Sequence, residues 1–373
     1  MKPSLPTDVQ RSLLKAALLS GEESARAAAM FRSLTNLDDL DSGSHRLLPL
    51  YYRRLTREGL EDPDLGRLSG VHRKAWYENL FLRKRAEELL GHLQQRGIST
   101  MLLKGAGLHT SIYKDEPTLR PLDDVDVMVK SSEIGEAIRA VQELGYVRMR
   151  HQLYKDEWPG LLHSCSYKRG YRESVDLHCR PLRFQRDPEF TRRAWDRSVE
   201  ATLGSVATRT LDATDHLLVT ISHGVMPNQV PTCRWVADAV LLAQKSPIDW
   251  DRLADDAVAT WHPQLVKGGL EYLRDEFHVE IPSSAFVLIS KPQPRLWTLL
   301  DSISEHSESR WRRIVAALAS DYLMAHYGES IWRILKGYPR FFRLRNHRGF
   351  IGTLRRIFQI ARKGSGAVPK SAD

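Results

Sequence analysis

The sequence predicts an α+β protein: a small mixed β-sheet core with helical regions before and after it in the chain. Three observations predict this. Apolar residues recur at helical spacing up to Arg96. Two short stretches, near residues 124–129 and 174–179, alternate with the period of two that a strand requires. Helical spacing then returns after Asp212. At 373 residues, 42% hydrophobic and 27% charged, the chain is ordinary in composition and long enough to bury a sizeable core in two or three units. The expected division is a helical region over 1–96, an α/β core over 97–205, a second helical region over 206–363 and a disordered tail over 364–373.

Taken in order, Arg73 to Arg96 carries the clearest helical stripe, with Trp76, Leu80, Leu82, Ala86, Leu89, Leu90 and Leu93. Gly97 supplies a stop. Asn36 to Ser44, rich in Asp, Ser and Gly, reads as a connection between earlier helices. Ser99 to Leu103 is a β-type run, Ala106 to Tyr113 a short helix, and Lys114 to Leu122 polar and irregular. Val125, Val127 and Val129 then alternate with Asp124, Asp126 and Met128, giving a strand with one apolar and one largely acidic face. Ser131 and Glu133 open a helix that ends near Leu144 and Gly145. Tyr146 to Arg150 is a further strand, and Leu162–Lys168 with Ser174–Cys179 make a hairpin turning at Arg169-Gly170. Asp187–Arg197 is helical and Ala207–Leu211 extended. Helices follow over 212–223, 234–244, 250–260, 264–278, 310–327 and 354–361.

Cys165, Cys179 and Cys233 are odd in number and lack metal-ligand spacing, which argues against a disulfide framework or a zinc site and for a reducing cytoplasm. The N-terminus has no apolar signal stretch, and no apolar run reaches the length of a membrane span. The net charge of +9 is uneven: from Glu329 onward there are eleven Lys and Arg against two acids, a surplus equal to that of the whole chain. The high pI therefore belongs to the tail and says nothing of the core.

Chemistry concentrates between Lys104 and His178. Asp124 and Asp126, separated by one apolar residue on a strand, share a face. Val175-Asp176-Leu177-His178 likewise puts Asp176 and His178 together. If the two strands are neighbours, three carboxylates converge. Such a group repels itself unless cations neutralise it, and hard oxygen ligands favour Mg²⁺ or Mn²⁺. Two such ions can activate an attacking hydroxyl and stabilise a leaving pyrophosphate. Each element also has a plainer account. Asp124 and Asp126 suit an exposed edge strand, Asp176 and His178 a surface, and Gly105 and Gly107 a turn and a helix contact.

Leu103-Lys104-Gly105-Ala106-Gly107-Leu108, then Tyr113, Arg120, Asp124-Val125-Asp126-Val127-Met128-Val129 and Val175-Asp176-Leu177-His178, resemble the uncharacterised bacterial nucleotidyltransferases of the polymerase-β superfamily. The resemblance is specific over about 98–180, and His223 and Arg234-Trp235-Val236-Ala237-Asp238 match its general layout. It implies a polymerase-β-like core that moves a nucleoside monophosphate from an NTP to a hydroxyl. Asp124 and Asp126 would bind both metals. Asp176 would hold the catalytic one and help orient or deprotonate the acceptor. The backbone at Gly105 and Ala106 would cradle phosphates, with Lys104 or Arg120 neutralising the triphosphate. Ala106 departs from the superfamily, which has Ser or Gly after the glycine, so no hydroxyl reaches the phosphate from there.

His178, His223, Arg234 and Asp238 are candidates for acceptor or base contacts, and core hydrogen bonding suits the last three equally. In 331–363, aromatics interleave with Arg and Lys. This pattern fits RNA, anionic lipid at a membrane surface, or a basic face packing its aromatics inward. The acceptor is left open among a small molecule, a protein and RNA. Two other functional readings stand beside enzymatic transfer to a general acceptor: an inactive binding or assembly protein on the same fold, and a toxin-like enzyme acting on tRNA.

Overall fold

The computed structural model describes residues 3–149, 163–170, 172–182, 185, 187, 189–226, 233–258 and 263–291. The expected helices over 310–327 and 354–361 and the basic aromatic segment 331–363 lie outside these residues. Among the described residues, the chain runs through helices α1 (Asp8–Leu18), α2 (Gly21–Leu34), α3 (Ser42–His45), α4 (Leu48–Glu58) and α5 (Leu65–Gln95). Strand β1 (Thr100–Leu102), helix α6 (Lys104–Leu108), β2 (Val125–Val129), α7 (Ile134–Glu143), β3 (Val147–Arg148), β4 (Ser164–Arg169) and β5 (Glu173–His178) follow. The chain continues with α8 (Glu189–Arg197), β6 (Val199–Leu203), β7 (Val206–Thr210), α9 (Ala213–Gly224), α10 (Arg234–Lys245), α11 (Trp250–Ala257), α12 (Pro263–Phe277) and α13 (Ser283–Ile289). This is a mixed α+β fold. None of its described helices is long and apolar enough to cross a membrane.

The seven strands form one sheet in the order β3-β4-β5-β2-β1-β7-β6. β2 sits in the middle, antiparallel to β1 and parallel to β5. Its five residues are all buried, so the acidic strand is a central one. The period-two alternation still holds. Val125, Val127 and Val129 take one face, and Asp126 and Met128 the other. The hairpin β4–β5 has the expected turn, with Gly170 in the left-handed region at φ 55.

Helix α1 opens with a reciprocal capping box between Thr7 and Gln10. Gly97 at φ 70 and Gly145 at φ 84 follow α5 and α7 in left-handed conformations that any Cβ would strain, as their place after each apolar stripe suggests. Helices α9 and α10 bury apolar side chains on nearly every turn, including Leu217, Leu218, Ile221, Val236, Ala239 and Val240.

Two local expectations need correction. Trp76 and Leu80 do not belong to the buried stripe of α5. They are 55% and 52% exposed, and the inward face is Leu68, Ala75, Asn79, Leu82, Ala86, Leu89, Leu90 and Leu93. The polar Asn79 is buried because it has work for all its groups. Its Nδ2 donates to the carbonyls of Pro117 (2.8 Å) and Arg120 (3.1 Å), and its Oδ1 accepts from the Leu122 amide (2.8 Å). The second correction is β6, absent from the sequence reading. Its residues are mostly exposed, so no apolar alternation marks it.

Candidate active site

Adjacent parallel strands bring the carboxylates together. In the β2–β5 register, Asp126 lies opposite Asp176 and Met128 opposite His178. One ligand atom each from Asp126, Asp176 and His178 falls within 4.8 Å of the others. Two carboxylate oxygens and an imidazole nitrogen suit a divalent cation, and the hard oxygens favour Mg²⁺ or Mn²⁺. The trio joins two of the three expected carboxylates to His178. Asp124 precedes the first residue of β2, so strand alternation does not fix its direction. It acts on the cluster through its charge. Burial, and then the neighbouring charges of Asp126 and Asp176, push its carboxyl up to about 7.

Asp126 is 3% exposed, and its Oδ1 receives two hydrogen bonds. Lys104 Nζ donates at 2.6 Å and His178 Nε2 at 2.9 Å. Burial alone would raise the pKa of Asp126. The Lys104 charge and the His178 hydrogen bond outweigh it and keep the carboxylate ionised. The same balance acts on Lys104. Burial works against its charge, but Asp126, aided by Asp124 and Asp176, holds its pKa above the ordinary lysine value. The fully buried His178 is further fixed by the edge-on ring of His163, 5.6 Å away.

Lys104 is the first residue of α6 and adopts φ 44, a left-handed conformation uncommon for a residue with a side chain. His216 Nε2 on α9 donates to its carbonyl at 3.1 Å. Gly105 and Gly107 serve packing. A Cβ on Gly105 would lie 2.0 Å from Arg120 Nη1, and one on Gly107 would lie 2.6 Å from Thr210 Oγ1 and 2.7 Å from the Leu102 carbonyl. Ala106 is 2% exposed, so its side chain is enclosed by the core and its lack of a hydroxyl removes no solvent-facing group.

Arg120 and Asp238 are brought together, away from solvent. Arg120 Nε donates to both carboxylate oxygens of Asp238 at 3.0 Å, its Nη2 lies 2.9 Å from Oδ2, and Tyr113 donates its hydroxyl to Oδ1 at 2.9 Å. Burial opposes the guanidinium charge, and Asp238 more than restores it. An arginine so engaged has its fork committed to a carboxylate. This placement does not offer Arg120 to a triphosphate, and Asp238 faces Arg120 and Tyr113 in preference to an acceptor.

Around this pair the loop leading into Asp124 is held at several points. His109 Nε2 donates to the Arg120 carbonyl at 2.8 Å, Arg234 Nη1 to the Pro121 carbonyl at 2.6 Å, and Arg46 pairs with Asp123. The pKa of Arg234 is lowered to about 10, first by burial and then by the charge of Arg120. His223, near the end of α9, is exposed and shares electrostatic surroundings with Lys104, Asp126 and His178. Asn79, His109, His163 and the His216 contact are not foreseeable as parts of the site from strand alternation or motif spacing. Asn79 alone had a visible signal, a polar residue four positions after Ala75 on an apolar stripe.

Residues 42–274 match the model of a family described as uncharacterised nucleotidyltransferase. No curated protein matches the chain. Among solved structures, the chain is similar to the solution structure of the antibiotic-resistance factor ANT(2'')-Ia, at 13% identity and a TM-score of 0.35, over 54% of this chain and 95% of that one.

Proposed function

The chain belongs to this uncharacterised nucleotidyltransferase family, and on that premise we propose that it transfers a nucleoside monophosphate from an NTP to a hydroxyl acceptor, with pyrophosphate as the leaving group. The observation that carries the reading is Asp126 opposite Asp176 on adjacent parallel strands, with His178 completing a cluster within 4.8 Å. Asp124, Asp126 and Asp176 would hold two divalent cations, with His178 positioning Asp126 or joining the ligand set. When bound, such ions supply charge neutralisation for the attacking hydroxyl and the leaving pyrophosphate.

The protein's own part is positional. Asp176, half-buried, would accept the acceptor's proton. Lys104, with a side chain 21% exposed, can reach anionic phosphate oxygens. The amides at the start of α6, from Lys104 to Ala106, have no carbonyl four residues earlier within the helix, and in this reading they would meet phosphate oxygens. With Arg120 engaged by Asp238, Lys104 is the cation in the cluster itself.

The test is incubation of the full chain with each α-labelled NTP, Mg²⁺ and cell extract, with an EDTA-treated control. Labelling of one acceptor class is expected, abolished by EDTA and restored by added Mg²⁺. RNase sensitivity of the label would identify an RNA acceptor, the tRNA-directed reading included. Label in no fraction with any nucleotide or metal would instead support the inactive binding protein. The pH profile follows from Asp124. A carboxyl raised to about 7 keeps its proton below that pH in the metal-free fold, and holding a cation requires losing it. At subsaturating Mg²⁺, transfer should therefore rise with pH and level off above about 7, and saturating Mg²⁺ should move that rise to lower pH.

A further inference from the structure

Asp126 is a prospective metal ligand, and its carboxylate already has a cation on it, Lys104 Nζ at 2.6 Å from Oδ1. An ammonium and a divalent ion on one buried carboxylate repel each other strongly. One must leave when the other arrives. The ammonium is the mobile group. The Lys104 backbone is anchored by the His216 hydrogen bond to its carbonyl and by its place between β1 and α6. Its side chain, 21% exposed, spans from that anchor to the carboxylate and has a route to solvent. Asp126, at 3% exposure, has none.

A lysine turned out of the cluster alone exchanges a short ion pair for water. Turned toward a bound triphosphate, it gains several anionic oxygens. Resting on the nucleotidyl-transfer reading above, we propose that Lys104 is an exchangeable counter-ion. It neutralises Asp126 in the metal-free site and passes to the triphosphate when a divalent cation takes Asp126, so that cation and nucleotide bind as a coupled pair. By linkage the coupling is reciprocal: each ligand raises affinity for the other by the same factor. A site built this way stays poor in metal until nucleotide arrives.

The experiment titrates full-length wild type, Lys104→Met and Lys104→Arg with MnCl₂. Free Mn²⁺ is followed by its paramagnetic resonance signal, with and without each of the four α,β-methylene nucleoside triphosphates, and protein-free controls correct for chelation. Wild type and Lys104→Arg, both carrying the charge, should bind Mn²⁺ weakly alone and about tenfold more tightly with the matching analogue. Lys104→Met should bind Mn²⁺ alone about tenfold more tightly than wild type and lose most of the enhancement by nucleotide. Thermal melts establish that the variants fold. If Lys104→Met does not, Lys104→Gln takes its place, because a triphosphate that itself ligates Mn²⁺ would enhance binding to wild type whatever Lys104 does. Wild type binding Mn²⁺ tightly alone, with no gain from any analogue, overturns the exchange while leaving the metal site standing. No Mn²⁺ bound by any variant in any mixture overturns the exchange and the metal-dependent reading together.

Discussion

Asp176→Asn is expected to lower nucleotidyl transfer by about 10³-fold while leaving the fold intact. Asp176 lies opposite Asp126 in the β2–β5 register and is half-buried, so the amide can be solvated where the carboxylate was. Removing one of three mutually repelling carboxylates also relieves strain in the metal-free state, and the melting temperature should equal or exceed that of wild type. Asp126→Asn should be as inactive but less stable. It leaves the Lys104 ammonium and the His178 imidazole facing a neutral group in a buried site. Initial rates of label incorporation together with thermal denaturation separate the two. Transfer by Asp176→Asn within tenfold of wild type would show that this carboxylate is not part of the reaction.

The second large effect is on stability. Asp238→Ala should destabilise the protein by about 3–5 kcal/mol, because it strands a buried guanidinium and a buried tyrosine hydroxyl. For a chain of this length that corresponds to a melting temperature lower by roughly 5 °C. Activity should fall as well, since Arg120 belongs to the loop that leads into Asp124 and its carbonyl is held by Asn79 and His109. Replacing both partners, Arg120→Met with Asp238→Leu, should cost clearly less than Asp238→Ala alone, as no unpaired charge is left behind. A double variant less stable than Asp238→Ala would mean the pair acts through shape instead of charge.

Much of the fold was legible because its signals are local. The Val-Asp alternation of β2, the hairpin β4–β5 and the glycines after α5 and α7 are set by residues close in sequence. The neighbourhood of β2 and β5 could be stated only as a condition, because strand order is decided by the whole sheet. Within the site, strand alternation made Asp126 visible as a same-face partner of Asp124, and Asp176 as one of His178. Roles that depend on distant partners were not visible. Nothing near Arg120 reveals that α10 presents Asp238 to it, so it reads as a free phosphate-binding arginine. Nothing near Gly105 reveals that Arg120 occupies the space beside its Cα. His178 read as an acceptor contact because its hydrogen bond to Asp126 crosses from one strand to the next. Trp76 and Leu80 misled for the opposite reason. Their spacing is helical and apolar, yet Asn79 won the inward face through three hydrogen bonds to the 117–122 loop.

In the proposed reaction the carboxylate cluster transfers the α-phosphoryl group of a nucleotide, with its nucleoside, to an acceptor. Its most direct test pairs α-labelled with γ-labelled samples of the same NTP, in Mg²⁺ with cell extract, and follows both the acceptor and the small-molecule products. The account predicts that α-label enters the acceptor while γ-label leaves as pyrophosphate in equal amount, and that Asp176→Asn stops both. Entry of γ-label into the acceptor, or α-label transfer without pyrophosphate, would contradict it.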